Sequence, residues 1–129
     1  MLDKSHAARV VEQFLNALDG GDVAGALVGL ADDVLIVDDV APFRRVGIAT
    51  AEAWLKEVIG ARKRLQMSLS LADRTRCDVG DGRIYIVARG NLSITSAGGS
   101  AEESGVLTFT LRDVEGSWMI DTIVWSVPA

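Results

Sequence analysis

The fold is decided where the chain reads ARKRLQMSLSL, over residues 61–71, because the spacing of the apolar residues changes there. Before this stretch apolar residues recur every three or four positions, which is typical of amphipathic helices. From Leu65 onward they alternate with polar residues, as in a strand with one buried face. We expect that face to carry Leu65, Met67, Leu69 and Leu71. The sequence therefore predicts mostly helices in the first half of the chain and strands in the second.

Two helices are predicted before the first strand. The first starts near Ser5, a residue type that commonly caps helix N-termini, and ends at Gly20-Gly21. Asp22 is expected to cap a second, shorter helix that runs to Leu30. Each helix has an apolar face that has to pack against another element.

A buried strand, a loop and a third helix follow. Residues 34–38 form an apolar, β-branched run short enough for a buried strand, and Pro42 and Gly47 bracket the loop after it. Thr50 is expected to cap the third helix, which carries Trp54 on its apolar side.

The second half of the chain is divided by glycine turns at residues 80–82 and 98–99 and by another near Gly116. Between these turns the alternation is typical of half-buried antiparallel strands. The inward faces are expected to carry Ile84, Ile86, Ala88, Leu92, Ile94, Leu107, Phe109 and Leu111. Since no linker separates the halves, the sequence predicts one α+β domain over residues 1–129, with helices on one face of a curved sheet.

The composition argues against several classes of protein. Of the 129 residues 49% are hydrophobic, enough for a core without disulfides or a structural metal. The net charge of −5 argues against nucleic acid as a partner, and the basic residues 62–64 are interpreted as the solvated end of a helix. Cys77 is the single cysteine, no apolar leader opens the sequence, and no window is apolar enough to span a membrane. We therefore expect a cytoplasmic protein without a membrane partner.

Several short stretches resemble the nuclear transport factor 2-like superfamily: LDGGD at 18–22, ADDV at 31–34, the loop 42–47, and GSWMI at 116–120 with WS at 125–126. The superfamily includes ketosteroid isomerases, SnoaL-like polyketide cyclases and limonene epoxide hydrolases. The resemblance implies one SnoaL-like domain with a cone-shaped, cystatin-like fold, in which three N-terminal helices pack on a curved, mainly antiparallel sheet. It also implies a deep apolar pocket between helices and sheet, and a homodimer formed through the sheet.

The resemblance points to Asp38 as a candidate catalytic residue. In isomerase-like members a carboxylate just after the first strand is the general base that moves a proton between substrate carbons, and counting from residues 31–33 puts this position on Asp38. If Asp38 shares the inward face with Ile36, it lies among apolar side chains. The alternative is that Asp38 and Asp39 end the strand at its solvent edge.

The groups that assist this base in the isomerases are absent from the matching positions. Those enzymes polarise a carbonyl with a tyrosine on the first helix and a protonated aspartic acid on a late strand. Here the helix position is Phe14, and the strand position falls on Leu107 or Thr108. Thr108 is expected to face away from the pocket because Leu107 and Phe109 flank it on the inward face. Since each donor to the developing oxyanion contributes roughly 10²–10³-fold, steroid isomerase activity is disfavoured.

Asp121 is the second candidate catalytic residue, because it interrupts an otherwise apolar strand and a buried carboxylate needs a partner or a role. Cyclases and epoxide hydrolases of the superfamily carry a carboxylate on the sheet as acid or base. The hydrolases add an Arg-x-Asp pair, but this chain reads Arg89-Gly90-Asn91, and the amide cannot exchange protons. The alternative is a cross-strand ion pair of Asp121 with Arg89 or Arg112 on the outer or dimer face.

The pocket is expected to take a hydrophobic small molecule, with no cofactor and no metal site. His6, the single histidine, is interpreted as a solvated residue in the first turn of the first helix. Trp54 and Trp125 either line the pocket or pack in the core. The predicted apolar lining comprises Phe14, Ile36, Trp54, Ile86, Ala88, Phe109 and Trp125.

Functions from different classes stay open on the sequence alone. One is a cofactor-independent acid/base isomerase, cyclase or hydrolase that acts on a hydrophobic substrate through Asp38, with Asp121 as a second acid. Another is a non-catalytic ligand-binding or dimerisation module, which the missing tyrosine and late-strand acid favour. A third, transport of a partner protein, requires an exposed apolar patch beyond the dimer surface.

Overall fold

The computed structural model describes residues 4–96 and 98–128, without the side chains of 71–77 and 96. The predicted inward orientation of Leu71 and the surroundings of the Cys77 thiol therefore lie outside the described residues. The described helices are α1 (Lys4–Asp19), α2 (Val23–Leu27) and α3 (Ile48–Leu65). No helix in these ranges is both long and apolar enough to cross a membrane.

The start of α3 is set by a glycine. Gly47 is the N-cap, with a φ of 96° that favours glycine, and its carbonyl accepts the first helical hydrogen bond from the N–H of Ala51 at 2.9 Å. The prediction that Thr50 caps this helix is wrong, because α3 begins at Ile48 and Thr50 lies in its first turn. The basic residues 62–64 do lie in the last turn of α3, as predicted, but Arg62 is not solvated, since its side chain is only 13% exposed.

The first two helices agree with the sequence in part. Ser5 lies inside α1 rather than at its N-cap, because the helix already includes the residue before it. The Asp22 cap is confirmed, since its Oδ1 accepts a hydrogen bond from the N–H of Gly25 at 2.9 Å. The helix that follows is shorter than predicted: it ends at Leu27, and Leu30 starts the first strand. Glycines in this segment disfavour a longer helix.

The described strands form one six-stranded sheet in the order β2-β1-β6-β5-β4-β3. β1 runs parallel to β6, and all other neighbours are antiparallel. The α+β class predicted from the sequence is confirmed. The strands are β1 (Leu30–Val37), β2 (Arg44–Val46), β3 (Met67–Gly80), β4 (Arg83–Ser96), β5 (Gly99–Val114) and β6 (Ser117–Ser126).

The short strand β2 lies inside the segment predicted to be a loop. It pairs with β1 so that Arg45 lies opposite Ile36. Two adjacent arginines and one valine show no apolar alternation, so periodicity does not predict this strand. β2 returns the chain along β1 and brings Arg45 beside the end of that strand.

The core lies between the helices and one face of the sheet, which we call the inner face. Phe14 of α1 meets Phe109 of β5 edge-on, with ring centroids 6.1 Å apart. Leu107, Phe109 and Leu111 are buried, whereas Thr108 between them is half-buried on the outer face, as the alternation predicts. The buried inner-face residues of the neighbouring strand include Ile84, Ile86 and Ala88.

The pairing of β5 with β6 is interrupted by one extra residue in β6. Thr110 pairs with Thr122 and Leu111 pairs with Ile120, which leaves Asp121 as the additional residue of a β-bulge. A bulge shifts the alternation of side chains by one position. As a result Asp121 joins Thr110 on the outer face instead of continuing the inner face of β6.

Candidate functional site

A cavity of about 330 Å³ opens between α1, α3 and the inner face of the sheet. This volume falls within the range of small-molecule pockets. The lining is mostly apolar and comes from α1 (Phe14, Leu15, Leu18), α3 (Trp54, Val58, Ala61) and the sheet (Ile36, Val37, Met67, Leu69, Leu92, Leu107, Ile123, Trp125). Such a lining excludes strongly hydrated molecules and suits an apolar one.

Asp38 lines this cavity directly after the end of β1, and its side chain is 11% exposed. Its Oδ1 accepts hydrogen bonds from Arg45 Nη1 at 2.9 Å and from the N–H of Val40 at 3.2 Å. Its Oδ2 accepts a hydrogen bond from Trp54 Nε1 at 3.0 Å. Donors from the loop, from β2 and from α3 thus hold the carboxylate in one orientation.

Arg45 fixes the loop as well as the carboxylate. Its side chain is only 8% exposed, and its Nη2 lies 3.5 Å from the carbonyl oxygen of Val40 and 3.4 Å from that of Ala41. The loop is also closed by backbone hydrogen bonds that join Asp38 and Val40 to Phe43. Sequence reasoning missed Arg45, because finding it requires β2 and its register with β1.

Other charged residues also line the cavity: Asp39, Arg62 and Glu103. Arg62 is already paired, with its Nη1 2.6 Å from Asp19 Oδ1. Asp39 is exposed, and Glu103 is half-buried on the inner face of β5. Sequence reasoning missed Glu103, although its even spacing from Leu107 is a signal that could have placed it on the inner face.

Asp121 lies outside the cavity, on the outer face of the sheet. It is 7% exposed, and its Oδ1 accepts a hydrogen bond from the hydroxyl of Thr110. Its Oδ2 lies 2.6 Å from Arg83 Nη1 and 3.7 Å from Arg112 Nη1. Arg112 Nη2 also lies 2.8 Å from Asp33 Oδ1, and its hydrogen bond and positive charge lower the pKa of Asp33. These side chains form the outer-face ion network.

The two candidate acids therefore do not share a site, because the bulge turns Asp121 away from the cavity that Asp38 lines. The alternative of a cross-strand ion pair is observed for Arg112. In the described part of the chain the other predicted partner of Asp121, Arg89, is not observed in an ion pair with it. Arg83 pairs with Asp121 instead, because Arg83 faces Arg112 in the β4–β5 register and Arg89 lies farther along β4.

Solved structures share this arrangement of helices and strands. A nuclear transport factor 2-like protein of unknown function from Pseudomonas putida KT2440 aligns with a TM-score of 0.82, covering 97% of this chain and 86% of that chain at 18% identity. One with a cystatin-like fold from Novosphingobium aromaticivorans gives 0.81, covering 97% and 81% at 13% identity. The chain has the nuclear transport factor 2-like fold.

A third solved structure with the nuclear transport factor 2-like fold is described as a candidate dehydratase from Streptomyces avermitilis. It aligns with a TM-score of 0.81 and 12% identity over 98% of this chain and 97% of that chain. No protein-family model matches the chain, and no curated protein matches it. The resemblance predicted from the sequence is confirmed for the fold, which by itself does not determine an activity.

Within the nuclear transport factor 2-like fold, the apolar lining predicted from the sequence is correct for four residues and wrong for three. Four of its members line the cavity: Phe14, Ile36, Trp54 and Trp125. Ile86, Ala88 and Phe109 do not line it. These three are buried elsewhere on the inner face, where the Phe109 ring meets that of Phe14 edge-on.

In the nuclear transport factor 2-like fold of this chain, the position of the Trp125 ring depends on a glycine in the neighbouring strand. Its Cα pairs with that of Leu107, and its six-membered ring extends over Gly105. A Cβ at Gly105 would lie 2.5 Å from Trp125 Cη2 and 2.8 Å from the carbonyl oxygen of Ser126. Only glycine therefore leaves room for the indole at this position of β5.

The described side chains form no candidate metal site. Among them, no group of three or more histidine, cysteine, aspartate or glutamate residues is arranged to hold a metal ion.

Proposed function

We propose that the chain binds a hydrophobic small molecule in the cavity, with Asp38 as the polar group that orients it. The observation that carries this proposal is a buried carboxylate, held by Arg45 and Trp54, in an otherwise mostly apolar space of about 330 Å³. An apolar ligand gains free energy by leaving water, and a fixed carboxylate selects a ligand with a matching donor. The proposal corresponds to a SnoaL-like pocket protein that works without a cofactor.

The binding proposal is tested with a neutral aromatic probe, 1-naphthylmethanol, by isothermal titration calorimetry. Ala61→Phe fills the cavity from α3, so we expect the probe's affinity to fall at least about tenfold because the apolar contacts are lost. The matched control is Ala53→Phe on the exposed side of the same helix, which should leave the affinity unchanged. Equal binding to both variants would contradict the proposal.

A second candidate function, proton transfer by Asp38, is favoured by the fixed orientation of this carboxylate at the wall of the cavity. A carboxylate has about four acceptor sites, and Arg45, Val40 and Trp54 use three of them. The remaining acceptor site can remove a proton from a carbon next to a ligand carbonyl. Phe14 and Leu107, at the positions of the isomerase donors, offer no hydroxyl to a developing oxyanion, which argues against steroid isomerisation.

The proton-transfer candidate is tested by hydrogen–deuterium exchange into 2-tetralone, a hydrophobic ketone, followed by NMR in D₂O. The base removes a proton from the α-carbon, and the enolate takes a deuteron back. We expect at least about a 10²-fold acceleration that Asp38→Asn abolishes and the exposed Asp32→Asn retains. Binding without any acceleration would leave the chain as a non-catalytic ligand-binding module.

We also propose a homodimer formed through the outer face of the sheet. Val87, Thr108 and Val124 support it, because these outer-face side chains are only half-buried in the single chain. Sedimentation velocity is expected to show a dimer that Val124→Asp dissociates. A monomer at micromolar concentration would contradict this part of the proposal.

A further inference from the structure

The charges that line the cavity do not balance. Asp38 is paired with Arg45, and Arg62 is paired with Asp19. Among the described residues Glu103 makes no hydrogen bond or ion pair through its carboxylate. Apart from the exposed Asp39 at the loop, the charge left unpaired on the described lining is that of Glu103, so it is negative.

The surroundings of Glu103 are apolar. In the sheet register Glu103 lies opposite Leu92 of β4, and Leu92 lies opposite Leu69 of β3. All three residues line the cavity. A carboxylate beside leucine side chains is less well hydrated than one on an open surface, so a cation that enters the cavity gains more from pairing with it.

An aromatic ring lies next to this carboxylate. The indole of Trp125 extends over Gly105, one inner-face position along β5 from Glu103, which corresponds to roughly 7 Å of strand. Cations bind favourably to the faces of indole rings. An ammonium group at this end of the cavity can thus contact Trp125 and donate hydrogen bonds to Glu103.

We propose that the ligand is a hydrophobic amine, whose apolar body fills the cavity and whose ammonium group pairs with Glu103 beside Trp125. This inference rests on the proposed binding of a hydrophobic small molecule and specifies its chemical class. Glu103 then determines specificity: it favours a cationic ligand over a neutral one of the same shape, and it repels a carboxylate.

The experiment uses three probes with the same ring system: 1-naphthylmethylamine, 1-naphthylmethanol and 1-naphthoic acid, each titrated calorimetrically into the full chain at neutral pH. We expect the amine to bind about tenfold more tightly than the alcohol, and the acid to bind most weakly. Glu103→Gln is expected to bring the amine to the affinity of the alcohol, with its fold checked by thermal unfolding. The control Glu102→Gln alters the adjacent, exposed residue and should keep the preference for the amine.

The possible results distinguish failure of this inference from failure of the binding proposal on which it rests. If the alcohol binds but the amine binds no better, the inference is wrong and the binding proposal stands. A preference for the amine that survives Glu103→Gln also overturns it, because another group then recognises the charge. If none of the three probes binds to the unsubstituted chain, the proposed function fails and the inference fails with it.

Discussion

At the scale of single residues, the Asp38–Arg45 pair organises the site. Both side chains are about nine-tenths buried, and they lie 2.9 Å apart. A buried ion pair adds little stability over an apolar pair of the same volume, whereas removal of one partner leaves an uncompensated charge. The pair is therefore better explained by the orientation it gives to the Asp38 carboxylate than by the stability of the fold.

Arg45→Met is expected to lower the free energy of unfolding by about 3 kcal/mol, because it leaves Asp38 buried without its charged partner. Urea denaturation measures the effect. Arg44→Met, on the exposed neighbour, should change stability by no more than about 0.5 kcal/mol. The double variant Arg45→Met with Asp38→Asn should regain part of the loss; a loss equal to that of Arg45→Met alone would contradict the argument.

At the scale of secondary-structure elements, β5 and β6 determine which side chains reach the cavity. Gly105 admits the Trp125 ring, and the bulge at Asp121 sends a carboxylate to the outer face. Both effects depend on a single residue in a strand. A larger residue or a one-residue shift in register would change the lining of the cavity.

Gly105→Ala is expected to destabilise the chain by about 1–3 kcal/mol and to weaken binding of 1-naphthylmethanol, because the new Cβ overlaps the Trp125 ring. Thermal unfolding and calorimetry measure the two effects. Gly80→Ala is the control, since a Cβ there meets nothing within 4 Å. Wild-type affinity in Gly105→Ala would mean that Trp125 does not contribute to the binding site.

The outer-face ion network links β1 to β5 in a pH-dependent way. The hydrogen bond from Arg112 lowers the pKa of Asp33, so Arg112→Gln is expected to raise it toward its ordinary value in an NMR titration. A lowered folded-state pKa contributes stability above the unfolded value of about 3.9, and this contribution is lost as the pH falls through the folded value. Arg83→Gln, which removes a weaker influence, should raise the pKa of Asp33 less.

Periodicity predicted most of the elements, but the expectation that Leu65 lies on the inward face of a strand is wrong, because Leu65 ends α3 and is exposed. The alternation through Leu107 and Phe109 fixes the inner face of β5, and it also placed Thr108 correctly. Asp121 could not be placed, because a bulge is a property of two strands in register and a single strand does not reveal it. The burial of Arg45 could not be predicted for the same reason, because it depends on the pairing of β2 with β1.

At the scale of the whole molecule, the two faces of the sheet carry different kinds of side chain. The inner face and the helices enclose an apolar cavity with Asp38, and the outer face carries the ion network around Asp121. The chain has 18 acidic residues against 13 basic ones, and not all of the acidic side chains lie in solvent, since those of Asp38 and Asp121 are about nine-tenths buried. The fold controls the positions of these two acids.

Occupation of the cavity should stabilise the whole molecule. At a free concentration of 1-naphthylmethanol one hundred times its Kd, binding to the folded state alone adds about 2.7 kcal/mol, which corresponds to a rise in Tm of roughly 10 °C for a domain of this size. Differential scanning calorimetry measures the shift. Ala61→Phe should show a much smaller rise, and an equal rise would indicate that the probe binds elsewhere.

The parallel pairing of β1 with β6 also has a consequence for synthesis of the chain. β1 positions Asp38, yet its parallel neighbour β6 follows every other strand in the sequence. During translation β3, β4 and β5 can pair as successive hairpins, whereas β1 has to wait for β6 before it joins the sheet. We therefore expect the nascent protein to complete its cavity only after β6, which supplies Ile123 and Trp125 to the lining, has been synthesised.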